Sequence, residues 1–543
     1  MPALGTCASL GTCALPGRLP CLRRAAAALR ADNAVPRRWT ARGPPGQAGG
    51  PAAGQARANP ACFALASTQA AGGFHAESSF KSTEGVGAAV SDALVGLLRT
   101  ESPTLVQAVA MPRVANHRAT VIAAETGSGK TLAYLAPLLS RVVQDKRDDI
   151  ASGVTRKWHE QGLVLVLCPN AALARQVAEV ATSLASAVAS HAEGAPVLVD
   201  CFVSGVPPPV TPPDVMVTTP DKLLGVHDWF ANQRNRERFV RTLKAVVLDE
   251  ADVLLGGAFH KDMMRLLEWL RIDDKWKAQD ERGDGEEVGP LAWRGPRWYI
   301  CAGATIPDGG KGSVAEYLRK RFPDAAWARG PNLHETTARV DHRWIFVDDD
   351  EAAAQTLKEV LIADGAFAPG RKTMVFAKSV KAMDHVMESV TEASTSAGGV
   401  DESNLYLYSS KENAEVRHAM LKDFGTNGGV LVCTDAAARG LDVNGGVDHV
   451  VQADFAADAV SFLHRIGRTA RAGASGSATS IVRPAEHALA KALRFAAETG
   501  VPIEDAFSRK RSFSKKIRRR GEDHIMQRVK DRAAADAEAE EKG

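Results

Sequence analysis

Eleven short apolar runs, separated by longer stretches of helical character, constrain this chain more than any other feature. The first series is VIAA (121–124), LVLVLC (163–168), VMVTT (215–219), KAVVLD (244–249) and RWYICAGAT (297–305). The second is RWIFVD (343–348), TMVFA (373–377), NLYLY (404–408), GVLVCT (429–434), HVVQAD (449–454) and SATSIV (477–482). A continuous apolar run fits a strand buried on both faces, and alternation with helices fits parallel pairing. The two series predict two α/β domains, joined by a linker near PNLHETTARVDH (331–342). With 543 residues the chain is also too long for one core.

The first run leads into a glycine-broken turn. Residues 124–131 read AETGSGKT, which has the spacing of a P-loop with Ala124 in place of the first glycine. Thr126, Gly127, Ser128 and Gly129 bring backbone N–H groups toward phosphate oxygens, and the following helix offers its N-terminus to the anion. Lys130 is placed to reach the β/γ-phosphates and Thr131 to hold Mg²⁺. The motif is short enough to arise by chance, yet it follows a strand and opens a helix, the context the mechanism requires.

KAVVLDEAD ends a strand on Asp249 and Glu250. Expected beside the P-loop strand, Asp249 can bind Mg²⁺ through water, and Glu250 can orient or deprotonate an attacking water. The plainer reading is a pair of acids at a helix N-terminus. In SFLHRIGRTARAG (461–473), Arg465, Arg468 and Arg471 recur every three residues, so neighbours should share one helix side. Such a row can meet solvent or a carboxylate, or serve as arginine fingers reaching the γ-phosphate from the second domain. On that reading hydrolysis requires the domains to close.

Composition excludes several classes. Hydrophobic content of 45% and charged content of 24% are those of an ordinary globular chain, and no apolar run approaches a membrane span. The eight cysteines have neither zinc-site nor CxxC spacing, and four sit in or beside strand-like runs as expected buried thiols of a reducing compartment. Net charge is only +3, but its distribution is uneven. Residues 1–75 hold eight arginines, no lysine and one acid, Asp32, which reads as an organelle transit peptide or else a disordered basic leader. RKRSFSKKIRRR (509–520) has eight cations, offering loose phosphate contacts or a solvated tail, and 272–290 reads as a charged surface insertion.

Taken in order, these motifs resemble the DEAD-box RNA helicases of superfamily two, over about residues 80–485. Asp249-Glu250-Ala251-Asp252 spells the family's name; TDAAARGLD (434–442) is similar to its motif V and HRIGRTAR (464–471) to motif VI. Motif III, usually Ser-Ala-Thr, is Gly303-Ala304-Thr305. The resemblance implies two tandem RecA-like P-loop domains with parallel sheets, at 76–330 and 343–500, flanked by a leader at 1–75 and a basic then acidic tail at 501–543. It implies an RNA-stimulated ATPase with ATP and Mg²⁺ as cofactors, with Glu250, Arg468 and Arg471 catalytic. ESPTLVQ (101–107) looks like the adenine-reading Q motif, so Gln107 and an upstream aromatic, Phe80, are expected to select ATP, with Asp442 on the ribose.

RNA contacts carried over by resemblance are Pro169, Asn170, Gly205, Thr219, Arg417 and Thr434. The pattern is looser here. The Arg-Glu of motif Ia is replaced by Ala171-Ala172, and Ala414 stands for the Gln of motif IVa, so a retuned RNA grip is expected. The run after Asp252 and AGATIPDGGKG are similar to a plant plastid branch tied to organelle ribosome assembly on the large subunit, which implies a chloroplast protein; a mitochondrial branch reads much the same. A monomer acting on structured rRNA, with possible assembly-factor partners and no membrane, is the expectation. Two rivals stay open. An RNA-dependent clamp with little unwinding is motivated by Gly303 and predicts ATPase without strand release; a duplex-DNA translocase predicts equal stimulation by DNA.

Overall fold

The computed structural model describes residues 74–153, 162–191, 196–206, 213–225, 239, 242–256, 259–268, 270, 297–306, 313–330, 340–398, 404–409, 411–438, 443, 446–471 and 474–499. The leader call through residue 73, the insertion at 272–290, the linker from 331 to 339, Asp442 and the tail from 501 lie outside them.

The first sheet is built from β1 (Ala119–Ala123), β2 (Leu163–Leu167), β3 (Val199–Phe202), β4 (Val215–Thr218), β5 (Leu243–Asp249), β6 (Trp298–Gly303) and β7 (Ala326–Arg329). The second contains β8 (Val340–Phe346), β9 (Lys372–Ala377), β10 (Leu405–Tyr408), β11 (Gly429–Thr434), β12 (His449–Gln452) and β13 (Gly476–Val482). Every ladder between these strands is parallel. The orders are β3-β4-β2-β5-β6-β1-β7 and β10-β11-β9-β12-β13-β8. Each of the eleven apolar runs overlaps a strand.

Helices cover both faces, as parallel sheets demand. The longer ones are α1 (Ala88–Leu98), α2 (Leu105–Asn116), α3 (Lys130–Ala151), α4 (Ala171–His191), α5 (Asp350–Ala363), α6 (Val380–Ser396), α7 (Ala414–Asn427), α8 (Ala459–Ile466) and α9 (His487–Thr499). Alternate strand residues divide the first core in two. Val164, Val166, Val215, Val217 and Ile300 join Leu94, Leu135 and Val177, while Leu165, Leu167, Met216, Val246 and Cys301 join Leu254, Leu267 and Leu318. Several helix starts are fixed by side-chain caps that accept an otherwise unpaired N–H, including Ser379 for α6, Asp349 for α5 and Asp458 for α8. Among the described residues, no helix is long and apolar enough to cross a membrane.

The strands' C-terminal ends face one cleft between the sheets. The expectation that Asp249 ends a strand next to the P-loop strand is corrected: β6 lies between β5 and β1. That strand ends on Gly303, so motif III falls between the cradle and the acids.

Candidate active site

The turn after β1 owes its shape to two left-handed glycines, Gly127 at φ 80° and Gly129 at φ 88°. It is braced from beneath by the cap of α2. Thr104 Oγ1 donates to the Ser128 carbonyl at 2.8 Å, and Gln107 Nε2 donates to the Gly129 carbonyl at 3.2 Å. Ser128 Oγ closes the loop internally on the Glu125 carbonyl at 2.8 Å. Lys130 Nζ folds onto the carbonyls of Ala124 and Glu125 at 2.8 and 2.7 Å, and half-buried Thr131 follows in the first turn of α3.

The structure places both residues expected to read the adenine inside the fold. Gln107 is 2% exposed and both ends of its amide are engaged, since Oε1 also accepts from Thr104 N at 2.9 Å. It acts as a capping residue that pins the loop. Phe80 is 0% exposed, packed in the same core cluster as Val90 and Leu94, so neither face of its ring is presented for stacking.

Asp249 ends β5 with its carboxylate held by Tyr134 of α3, whose hydroxyl donates to Oδ2 at 2.9 Å, and by Glu250 N at 3.0 Å. Burial, then repulsion from Glu250, pushes its carboxyl up to about 6, against the Tyr134 hydrogen bond and the Lys130 charge. Burial pulls the Lys130 ammonium below its ordinary value, opposed first by Asp249. Glu250 stands in the left-handed region at φ 51°, and its Oε2 is buried without a hydrogen-bond partner. Backbone strain and an unpaired oxygen at one residue mark a position held for chemistry.

The second domain closes this arrangement. Thr126 Oγ1 donates to the Gly467 carbonyl at 3.2 Å, and Arg471 Nε donates to that same oxygen at 2.8 Å. A Cβ on Gly127 would stand 3.3 Å from Arg471 Cγ, so the arginine lies on the phosphate loop. Arg468, 6% exposed, is turned back through Nε to the His464 carbonyl at 3.1 Å. The three arginines do not share a helix, because α8 stops at Ile466 and Arg471 follows a left-handed Ala470 at φ 51°. Arg465 is no finger. It donates twice to Asp435, at 2.6 and 2.8 Å, and once to the Asp454 carbonyl at 2.6 Å, which anchors α8.

Sequence reasoning missed two residues of this cluster, Tyr134 and His464. His464 Nε2 lies 3.5 Å from Asp252 Oδ2, which also accepts from Thr305 N at 3.0 Å and from the Thr305 hydroxyl. Burial acts to raise the Asp252 carboxyl, but His464 and Thr305 outweigh it and hold it well below the usual carboxylate range. The signal was present, since Asp252 and His464 sit inside quoted motifs; their pairing across the cleft was not readable.

The expected RNA residues fall on another stretch of the same cleft. Pro169 and Asn170 follow β2, Gly205 follows β3 and Thr219 follows β4, three neighbouring strands. Asn170 Oδ1 caps α4 by accepting from Leu173 N at 2.9 Å, and Gly205 is left-handed at φ 86°. Opposite them, Thr434 ends β11 and Arg417 rides on α7. Ala172 of α4 packs against the second domain's core, so the two walls touch.

The DEAD/DEAH box helicase family profile matches residues 104–307, and the helicase conserved C-terminal domain matches 352–473. The chain is 35% identical over 514 residues to DEAD-box ATP-dependent RNA helicase 22 of Oryza sativa subsp. japonica, covering 82% of this chain and 85% of that one. The chain belongs to the DEAD-box ATP-dependent RNA helicases. The Arabidopsis thaliana helicase 22 is 34% identical over 484 residues, covering 77% and 80% of the two chains. In fold, the DEAD-box helicase resembles Mss116p bound to ssRNA and AMP-PNP, with TM-score 0.61 at 20% identity over 78% of each chain. It also resembles S. cerevisiae Dbp5 bound to RNA and ADP BeF3, with TM-score 0.58 at 19% identity over 77% and 93%. It is thus an RNA helicase with ATPase activity that binds ATP and RNA.

Proposed function

We propose that this helicase opens short RNA duplexes or remodels RNA–protein complexes by closing its two domains, in the assembly of an organelle ribosome. The observation that carries the mechanism is the Thr126–Gly467 hydrogen bond with Arg471 on the phosphate loop. Cradle and guanidinium belong to different domains, so transition-state charge is stabilised only in the closed state. Stacking is worth on the order of 1.4 kcal/mol per step for DNA, so one closure can displace a few steps and not dozens.

Mg²⁺ fits the donor set. Asp249, Glu250 and Glu125 surround Lys130, and Mg²⁺ characteristically takes one or two carboxylates with phosphates and water. The unpartnered oxygens belong to Glu125 and Glu250, so Asp249, bonded to Tyr134 and Glu250 N, would reach the ion through water. Thr131 and Asp249 would hold it, and it would neutralise charge on the phosphates. Glu250 Oε2 is the acceptor placed for the water's proton, Tyr134 orients Asp249, and Arg471 screens the phosphates from the second domain. Glu250→Gln, which keeps shape and removes the base, is expected to bind ATP normally and lose phosphate release.

The leader's arginine-rich, acid-poor composition and the similarity to plant relatives support a chloroplast address, with a mitochondrial one as alternative. Fusing residues 1–75 to a fluorescent protein tests it, and crosslinking in the organelle tests whether rRNA is the transcript recovered. Cytosolic fluorescence, or crosslinks spread over mRNAs, would overturn the organelle reading. The second reading, a clamp that hydrolyses without strand release, is favoured by Gly303. A Cβ there would stand 3.0 Å from Asp252 Oδ1, a buried oxygen left without a partner where the family's serine would bring a hydroxyl. Measuring duplex release beside phosphate release separates the two.

A further inference from the structure

The two residues suited to holding Mg²⁺ come from different elements. Thr131 lies in the first turn of α3, which follows β1, and Asp249 ends β5. The sheet connects those two strands only through β6. A Mg²⁺ site needs near-ideal octahedral geometry, with ligand oxygens about 2.0–2.1 Å from the ion, so its ligands tolerate little relative freedom. Backbone pairing alone does not set the spacing of these two side chains.

Tyr134 makes the missing connection. It follows Thr131 by three positions and Lys130 by four, which puts all three on one side of α3, and it is 0% exposed. Its hydroxyl donates to Asp249 Oδ2 at 2.9 Å and is also hydrogen-bonded to the Thr131 side chain. The direction of the second bond follows from the first. An ionised carboxylate only accepts, so the phenol's single proton goes to Asp249 and its oxygen accepts from Thr131. The Thr131 hydroxyl thus donates to Tyr134 and keeps its lone pairs for a cation. Asp249 is held at both oxygens, by Tyr134 at Oδ2 and by Glu250 N at Oδ1, 3.0 Å away, and each oxygen retains a lone pair for metal-bound water. A buried tyrosine finds some partner in any fold. This one has two, and they are the two side chains suited to a single ion.

We propose that Tyr134 is a positioning residue that sets the affinity for Mg²⁺ without touching it: one phenol fixes Thr131 and Asp249 relative to each other and takes up the Thr131 proton. This inference rests on the reading of Thr131 and Asp249 as the pair that holds the ion. It deepens that reading by naming the group on which their joint geometry depends.

The test uses the full chain and a fluorescent AMP-PNP analogue, bound first in EDTA and then across a Mg²⁺ titration. Electron spin resonance of Mn²⁺ in the same complex observes the ion itself. Tyr134→Phe keeps the packing of the ring and deletes only the hydroxyl. It is expected to bind the metal-free analogue as the unsubstituted chain does. It should need about 10- to 100-fold more Mg²⁺ to reach half-maximal tightening, the range for a lost outer-shell partner, and should hold Mn²⁺ correspondingly more weakly. RNA-stimulated phosphate release should fall at low Mg²⁺ and recover at high. An unchanged Mg²⁺ midpoint overturns the proposal. So does an equal loss of affinity with and without metal, the mark of a hydroxyl that only steadies the fold. Thr131→Ala and Asp249→Asn separate the layers. If they raise the midpoint and Tyr134→Phe does not, only the tyrosine's role fails; if none of the three raises it, the assignment of the metal-holding pair fails with it.

Discussion

Gln107 shows how a motif position and a side chain's work can differ. Its place upstream of the cradle matches the adenine-reading glutamine, but packing decides what an amide touches, and here it touches Thr104 and Gly129. Gln107→Ala is therefore expected to loosen the loop and weaken ATP and GTP binding together, by about 1 kcal/mol. Titrating both nucleotides checks this, and a selective loss of ATP with GTP unchanged would restore the adenine role. Phe80 is likewise inside the core, and burial is not written in spacing. The placement of Lys130, Asp249 and Glu250 was legible because it follows from where apolar strands end. Tyr134 was not, because an apolar helical stretch gives no hint that one hydroxyl will meet an acid 115 positions away.

Strands were legible where they are buried on both faces. β2 and β4 are continuous buried apolar runs, whereas the expected list omits β3 and β7, edge strands whose sequences, VDCF and AWAR, mix polar and half-exposed residues. The arginine row misled for an electrostatic reason: spacing cannot show that Arg465 already has Asp435. Arg465→Ala should therefore cost stability, roughly 3 kcal/mol for breaking a buried pair, whereas Arg471→Ala should melt normally and lose ATPase. Thermal melts beside phosphate release distinguish them, and equal melting temperatures would remove the anchoring role from Arg465. Two histidines of the second sheet set a pH limit. Burial lowers His342 in β8 to about 3 and His449 in β12 to about 4. Both fold neutral, so below pH 6.5 the unfolded chain binds more protons and stability falls as pH drops toward 4, by up to about 1.4 kcal/mol per unit per histidine. Urea midpoints at pH 7 and pH 5 test the direction, and a His449→Gln chain should show a shallower fall.

Across the whole molecule, two separately folded sheets form one catalytic unit through contacts at a few points: Thr126 with Gly467, Asp252 with His464, Gly127 with Arg471. That the cradle and the arginines belong to different domains was legible from their positions in the chain; how closely they approach was not. Gly467 carries that information. Its φ is −63°, which any residue adopts, yet a Cβ there would stand 1.9 Å from Thr126 Oγ1 and only 3.1 Å from its nearest neighbour in its own domain, the Leu463 carbonyl. An alanine at this position asks the Leu463 carbonyl to give by a few tenths of an ångström, and it forces Thr126 out of the contact it makes across the domains. The decisive measurement is RNA-stimulated phosphate release by Gly467→Ala, with ATP binding confirmed by a fluorescent analogue. The account predicts bound nucleotide, an intact melt and ATPase reduced at least 100-fold, in line with the roughly 10³–10⁵ that an arginine finger supplies. Hydrolysis at the rate of the unsubstituted chain would contradict it.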